Sequence, residues 1–246
     1  MLTIMQQDII NLLKNKPIMT YLLAYPMLLI LVTGYVFSSN FTDDLLTAYD
    51  YYGVTMMIYL SMATVIILPE LLFGHQVKYA NYRIIYSPMA RYKVYLSKLI
   101  VSIAVSYAIL ASYILVFNAV GWVNYGGRHV AFILLLDLAL VIFSITFGGA
   151  FCLLLKSEDL ATKILNLVIN VFAILSGLFF PMSIFGKRAG QIANLSPIAQ
   201  VMKSFFEIIY DQNASSLSQT IIALICASLG FLLIIHLKYH PEDFGE

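Results

Sequence analysis

The sequence predicts an all-α membrane protein with six transmembrane helices, and three observations support this. Of its 246 residues, 61% are hydrophobic and only 11% are charged, with a mean hydropathy of +0.88, which is too apolar for a soluble domain. The apolar residues gather in six runs of roughly the 20 residues that span a bilayer core. Runs of this length are helices, because an open strand edge cannot be satisfied in lipid.

Polar or charged residues separate the six runs. The runs are Pro17–Ser38, Tyr51–Phe73, Tyr95–Val120, His129–Leu155, Leu160–Phe180 and Leu217–Leu237. The chain has no internal repeat and no linker long enough to divide it. Residues 1–246 are therefore predicted to form a single transmembrane domain.

The basic residues predict the orientation. If both termini are cytoplasmic, ten of the 14 Lys and Arg residues lie inside, and the four outside are Arg128, Lys187, Arg188 and Lys203. This excess follows the positive-inside rule. We therefore predict a multi-pass protein of the cell membrane with both termini cytoplasmic. The net charge of +1 gives no support to nucleic-acid binding.

The first residues predict a helix lying in the membrane interface. One helical face carries apolar residues, namely Leu2, Met5, Ile9 and Leu12. Polar residues such as Asp8 occupy other faces, and Pro17 then turns the chain into the membrane. A frayed terminus is the alternative. We expect no cleavable signal peptide, because this segment has no compact apolar core.

The connector between the second and third runs, residues 74–98, is the most informative part of the chain. Its charged residues are all basic: Lys78, Arg83, Arg91, Lys93 and Lys98. Tyr79, Tyr82 and Tyr86 recur at helical spacing, and Pro88 interrupts the segment. The pattern predicts a short amphipathic helix lying flat on the cytoplasmic side.

This connector resembles that of the permease subunits of type-2 ABC transporters. In that family the second helix ends in a Gly-Glu pair, and a coupling helix and a proline break follow. The corresponding residues here are Gly74, His75 and Pro88. His75 replaces the family's Glu, and Glu70 lies about one turn upstream. The segments LSGLFFP and NLSPIAQVMKSFFEII also resemble the family's fifth helix and the outer region after it.

The resemblance implies a permease that works with a separate cytoplasmic ABC ATPase and a second permease subunit, either identical or similar. The residues expected to couple it to the ATPase are Tyr79, Tyr82, Arg83, Tyr86, Pro88 and Arg91. The chain has no G-x-x-x-x-G-K-[ST] phosphate loop, so ATP and Mg are expected in the partner ATPase, with no cofactor bound here. The permease itself is not expected to be an enzyme.

The fifth and second runs carry the candidate substrate pathway. A small and polar face of the fifth run includes Thr162, Asn166, Asn170 and Ser176. On the second run, Thr55, Tyr59 and Met62 share a face. These residues either pack helices tightly or line a translocation path at a dimer axis, and the two roles are compatible. The cargo predicted for such a path is hydrophobic or amphipathic, such as a drug, an antimicrobial peptide or a lipid-like molecule.

Asp137 is the one carboxylate deep within a predicted helix. It is either a functional intramembrane polar site or a buried side chain bonded to a neighbouring helix. Beyond Gly177 the apolar character continues past Pro181, and this predicts re-entrant helices between the fifth and sixth spans. Two other functions remain open. One is an immunity or sensor subunit that binds a peptide or antibiotic without transporting it, and the other is an intramembrane enzyme using Asp137.

Overall fold

A computed structural model describes residues 1–40, 47–74, 77, 91–180 and 196–239. These residues form helices and connecting turns, with no strand among them. The α-helices are α1 (Leu2–Lys14), α2 (Lys16–Leu23), α3 (Tyr25–Val36), α4 (Ala48–Ala63), α5 (Ile67–Phe73), α6 (Arg91–Val120), α7 (Val130–Leu155), α8 (Glu158–Leu175), α9 (Pro197–Ile209) and α10 (Leu217–Lys238). The all-α prediction is thereby confirmed.

Five helical stretches of the described chain are long and apolar enough to cross a membrane. They are Lys16–Val36, Ala48–Phe73, Arg91–Val120, Gly127–Leu155 and Leu217–Lys238. Each overlaps a run predicted from the sequence. The remaining predicted span falls on α8, which carries Glu158, Asp159 and Lys163 in its first two turns. Helix α8 also ends at Leu175, earlier than the predicted Phe180, and Gly177 follows with a φ of +84°.

The second span is interrupted by one turn of 3-10 helix at Thr64–Ile66 between α4 and α5. Pro69 explains this break, because it has no N–H to bond to the carbonyl of Val65 four residues earlier. The backbone of α7 approaches this carbonyl, since a β-carbon added at Gly148 would overlap the Val65 oxygen. The chain therefore needs glycine at 148 to bring the broken helix against α7.

Helix α7 occupies the centre of the described bundle and packs against α4, α5, α6, α8 and α10. Its buried side chains, among them Ile133, Leu136, Leu140 and Ile145, belong to the main apolar core together with those of α4. Helices α1 and α2 pack instead against α6 through a smaller core that includes Leu12 and Val101. The amino-terminal helix is thus attached to the bundle at one end of α6.

Candidate functional site

The predicted coupling residues lie mostly outside the described part of the chain. The coupling residues outside the described part are Tyr79, Tyr82, Arg83, Tyr86 and Pro88. His75 also lies outside it. The structure does describe the two ends of the connector. Gly74 ends α5, and Arg91 begins α6. A β-carbon at Gly74 would meet both the carbonyl oxygen and the carboxyl group of Glu70, so the start of the connector folds tightly over Glu70.

Glu70 is held by a residue of the amino-terminal segment. The side chain of Asn15 donates from Nδ2 to Oε1 of Glu70 at 3.2 Å. Its Oδ1 accepts from the backbone N–H of Ile18 at 3.3 Å and so caps α2. One buried amide therefore fixes the start of α2 against the end of α5.

A second carboxyl group lies close to Glu70. Burial, together with the nearby charge of Glu70, raises the pKa of Glu158 at the start of α8. The hydroxyl of Thr162 donates to Oε1 of Glu158 at 3.1 Å. Thr162, one of the predicted pathway residues, is thus hydrogen-bonded to a charged residue in the first turn of its own helix.

The strongest electrostatic contact at this end joins α1 to α6. Nζ of Lys98 lies 2.7 Å from Oδ1 of Asp8, and the two side chains are only 1% and 3% exposed. The sequence pattern was wrong about Asp8, which it placed on a polar face of an interfacial helix; the structure buries it. Burial raises the pKa of the Asp8 carboxyl, and the Lys98 ammonium opposes this rise. The two residues are 90 apart in the sequence, so no local sequence pattern could have predicted that they pair.

We call this region the charged end of the bundle. It comprises Asp8, Lys98, Asn15, Glu70 and Glu158. A cavity of about 210 Å³ lies within it, lined in part by Lys14, Asn15, Glu70 and Val77. Both described ends of the connector adjoin this region. A force applied to the connector would therefore act first on the side chains of the charged end.

The second and fifth predicted spans meet through a hydrogen bond. The hydroxyl of Tyr59 on α4 donates to Oδ1 of Asn170 on α8 at 2.9 Å. Nδ2 of Asn170 in turn donates to the carbonyl of Asn166 at 2.8 Å. Both Asn side chains are exposed on the single chain, and Tyr59 is half-buried. We call Tyr59, Asn166 and Asn170 the amide strip.

Three other predicted pathway residues are buried. Thr55 is fully buried and its hydroxyl has no hydrogen-bond partner among the described residues. Met62 is 7% exposed and lines a large cavity on another side of the bundle. Ser176 is buried and its hydroxyl lies 2.7 Å from that of Ser196. Beyond the charged first two turns of α8, the amide strip therefore carries the surface polar groups among the predicted pathway residues.

Asp137 is buried in the middle of α7, next to Ser61 of α4. The hydroxyl of Ser61 lies 2.5 Å from Oδ1 of Asp137 and 2.9 Å from the carbonyl of Met57. A hydroxyl has one hydrogen, which Ser61 donates to Oδ1 of Asp137 or to the carbonyl of Met57. Oδ2 of Asp137 has no hydrogen-bond partner in the described chain. The hydrogen bond between Ser61 and Asp137 thus joins α4 to α7.

Aromatic side chains pack at the opposite end of α4, which we call the aromatic end. It comprises Phe37, Tyr51, Tyr52, Phe180 and Phe206, whose rings lie 5.0 to 5.6 Å apart in successive pairs. The hydroxyl of Tyr51 donates to the carbonyl of Gly177 at 2.7 Å, which ties α4 to the chain just after α8. Ring contacts and this hydrogen bond therefore hold the aromatic end together.

No group of three or more His, Cys, Asp or Glu side chains within the described ranges is placed to hold a metal ion. A family model described as ABC-2 type transporter matches residues 1–210. The chain therefore belongs to the ABC-2 type transporter family, as its sequence motifs indicated. A search of the curated proteins gives no match. Family membership makes this chain a membrane-embedded permease subunit of an ABC transporter and not the ATPase itself.

Proposed function

We propose that this permease exports a hydrophobic or amphipathic substrate as part of a dimer driven by a separate cytoplasmic ABC ATPase. Membership of the ABC-2 family carries the proposal. The proposal keeps both termini in the cytoplasm, so that the connector and the charged end face the ATPase. ATP and Mg then bind to the partner protein, and this chain supplies the path.

The amide strip supports a dimer. Exposed amide side chains on a membrane helix are costly when they face lipid, and they favour contact with another helix. Apolar residues surround the strip, including Leu167 and Val171, which are 64% and 45% exposed. A second permease subunit facing this surface would enclose a path with both amide and apolar walls. Such a path suits an amphipathic cargo.

The charged end supports a route for the mechanical signal. Movement of the connector would pull on α5 through Gly74 and on α6 through Arg91. Helix α6 spans 30 residues, or about 45 Å, so it can carry this movement through the whole bilayer core of about 30 Å. The Asp8–Lys98 pair would move α1 with it. The outward opening would then require the aromatic end to separate.

The direct test uses the chain with and without its ATPase. Purified alone in nanodiscs, it should bind no nucleotide above background. Co-expressed with the ATPase, it should confer export that stops when the Lys of the partner's phosphate loop is replaced. Export that survived this replacement but collapsed with the proton gradient would contradict the proposal and assign a proton-carrying role to Asp137.

The connector is tested by a double substitution, Tyr82→Ala with Arg83→Ala. Aromatic and Arg side chains contribute most to binding at protein interfaces, so this variant should assemble but lose ATPase-driven export. An unchanged export rate would show that this segment is not the coupling helix. Ligand binding without export by the unsubstituted complex would instead favour the immunity or sensor function.

The amide strip is tested by Asn166→Leu and by cysteine labelling of Asn170→Cys. Asn166→Leu should impair transport or assembly, whereas Leu167→Ala, about 100° round the helix, should have a milder effect. A water-soluble thiol reagent should label Asn170→Cys in the open state. Labelling only by a lipid-dissolved reagent would place this face in the bilayer and exclude the path.

A further inference from the structure

We propose that this permease binds a zwitterionic membrane phospholipid, with one acyl chain inserted in a cavity between α4, α7, α8, α9 and α10. The cavity has a volume of about 990 Å³, at the upper end of the range of about 300–1,000 Å³ typical of ligand pockets. It lies away from the amide strip. Met62 of α4, one of the predicted pathway residues, lines its edge.

The cavity has an apolar end and a polar end. The apolar end is lined by large side chains, including Phe143 and Phe147 of α7. The polar end is lined by Gln200 of α9 and Gln219 of α10, among others. This is the polarity profile of an amphiphile, whose hydrocarbon chain and head group need different surroundings.

The depth of the cavity matches one leaflet of a bilayer. On α10 its lining runs from Ser216, which precedes the helix, to Ala227, a rise of about 16 Å. Half of a hydrocarbon core of about 30 Å is about 15 Å. The cavity is therefore long enough for an acyl chain that reaches the bilayer midplane from one surface.

The charges at the polar end identify the head group. Nζ of Lys203 lies 3.5 Å from Oε1 of Glu207, with one side chain 75% exposed and the other 21%. The hydroxyl of Ser216 donates to Oε2 of Glu207 at 2.5 Å and holds the carboxylate in place. One cation and one anion on adjacent turns complement a head group that carries both a phosphate and an ammonium. Phosphatidylethanolamine has this chemistry.

The cavity and the amide strip occupy different sides of α8. Val168, Ile169 and Phe172 line the cavity, and Asn166 and Asn170 form the strip. At about 100° per residue, the centres of the two sets are separated by about 135° round the helix. A lipid in the cavity would therefore contact one side of α8, and the proposed path lies on another side of the same helix. Blocking the cavity and blocking the path are separable experiments.

The first test fills the cavity from α10. Ala223 and Ala227 line it and are exposed, so a Trp at either position would occupy the cavity without displacing core residues. Native mass spectrometry of the purified permease with dioleoyl phosphatidylethanolamine should show a bound lipid. Ala223→Trp or Ala227→Trp should reduce this signal about tenfold, a change that takes only about 1.4 kcal/mol.

The matched control is Ile222→Trp, which adds the same ring to the same helix outside the cavity, at a residue 62% exposed. It should bind the lipid as the unsubstituted chain does. Equal lipid signals for all three Trp variants, each monodisperse with an unchanged melting temperature, would overturn the proposal.

The second test changes the preferred head group through Glu207→Gln. Glutamine can still accept from Ser216, but it leaves Lys203 as the only charged side chain among the described residues that line the cavity. Competition between dioleoyl phosphatidylethanolamine and dioleoyl phosphatidylglycerol should favour the zwitterionic lipid on the unsubstituted chain. It should shift several-fold toward the anionic lipid on the variant. A preference for the anionic lipid before substitution, or no shift after it, would contradict the assignment.

Discussion

The aromatic end and the charged end of the bundle are held together by different kinds of interaction. At the aromatic end, several rings contact one another, and losing one leaves the others packed. At the charged end, each buried group depends on one or two partners, as Lys98 does on Asp8. Buried charges are expensive when a partner is removed, whereas apolar contacts are lost in proportion to area. We therefore expect the two ends to respond very differently to substitution.

The largest effect is expected at Gly148 of α7, which packs against the break between α4 and α5. Gly148→Ala places a methyl group on the Val65 carbonyl, and backbone must shift to accommodate it. Overpacking against side chains costs about 1–3 kcal/mol, but here the clash is with a backbone carbonyl that cannot rotate away, so we expect a cost above about 5 kcal/mol, which is exceptional for a single substitution. We expect a large loss of monodisperse protein in size-exclusion chromatography and a lower melting temperature in detergent.

Gly230→Ala on α10 is the control for that change. A β-carbon at Gly230 has no described neighbour within 4 Å, so alanine should be neutral or slightly stabilising. Similar yields for the two alanine variants would contradict the close approach of α7 to the broken helix.

The second largest effect is expected at the charged end, from loss of the Asp8–Lys98 pair. Asp8→Ala leaves Lys98 buried without its partner and should cost about 3–5 kcal/mol, measured as a fall in melting temperature. The double variant Asp8→Leu with Lys98→Met replaces the pair by apolar groups and should recover most of the loss. Additive destabilisation in this double-mutant cycle would argue against a direct pair.

The smallest effect is expected at the aromatic end. Tyr51→Phe keeps the ring contacts and removes the hydrogen bond to the Gly177 carbonyl, so it should cost about 0.5–1.5 kcal/mol. Tyr35→Phe, at a side chain 75% exposed, should change nothing measurable. A loss from Tyr51→Phe as large as that from Asp8→Ala would remove the distinction between the two ends.

Sequence reasoning predicted the helices well because hydropathy and length leave few other choices in a bilayer. The sixth span was predicted at Leu217–Leu237 and is α10, Leu217–Lys238. The break at Thr64–Ile66 was not predicted, although Pro69 was visible, because its position depends on Gly148 of another helix. The family assignment from the connector motifs is confirmed by the match over residues 1–210.

The sites were harder to predict because their partners are distant in sequence. The spacing of Asn166 and Asn170 predicted a polar face. It could not predict the hydrogen bond from Tyr59 to Asn170, because the two residues are 111 apart in the sequence. Asp8 was misplaced because amphipathic patterns assign charges to solvent, and only the fold brings Lys98 to it. The role of the amide strip in transport and that of the connector in coupling stay predictions.

The composition of α8 has a consequence for how the protein is made. Three charged residues stand among its first six, and two amides follow, so this helix enters a bilayer poorly on its own. Its neighbour α7 lies in the most apolar of the five candidate spans and is joined to it by only Lys156 and Ser157. During biosynthesis we expect the two to leave the translocon together as a helical hairpin, with α7 providing the driving force that α8 lacks.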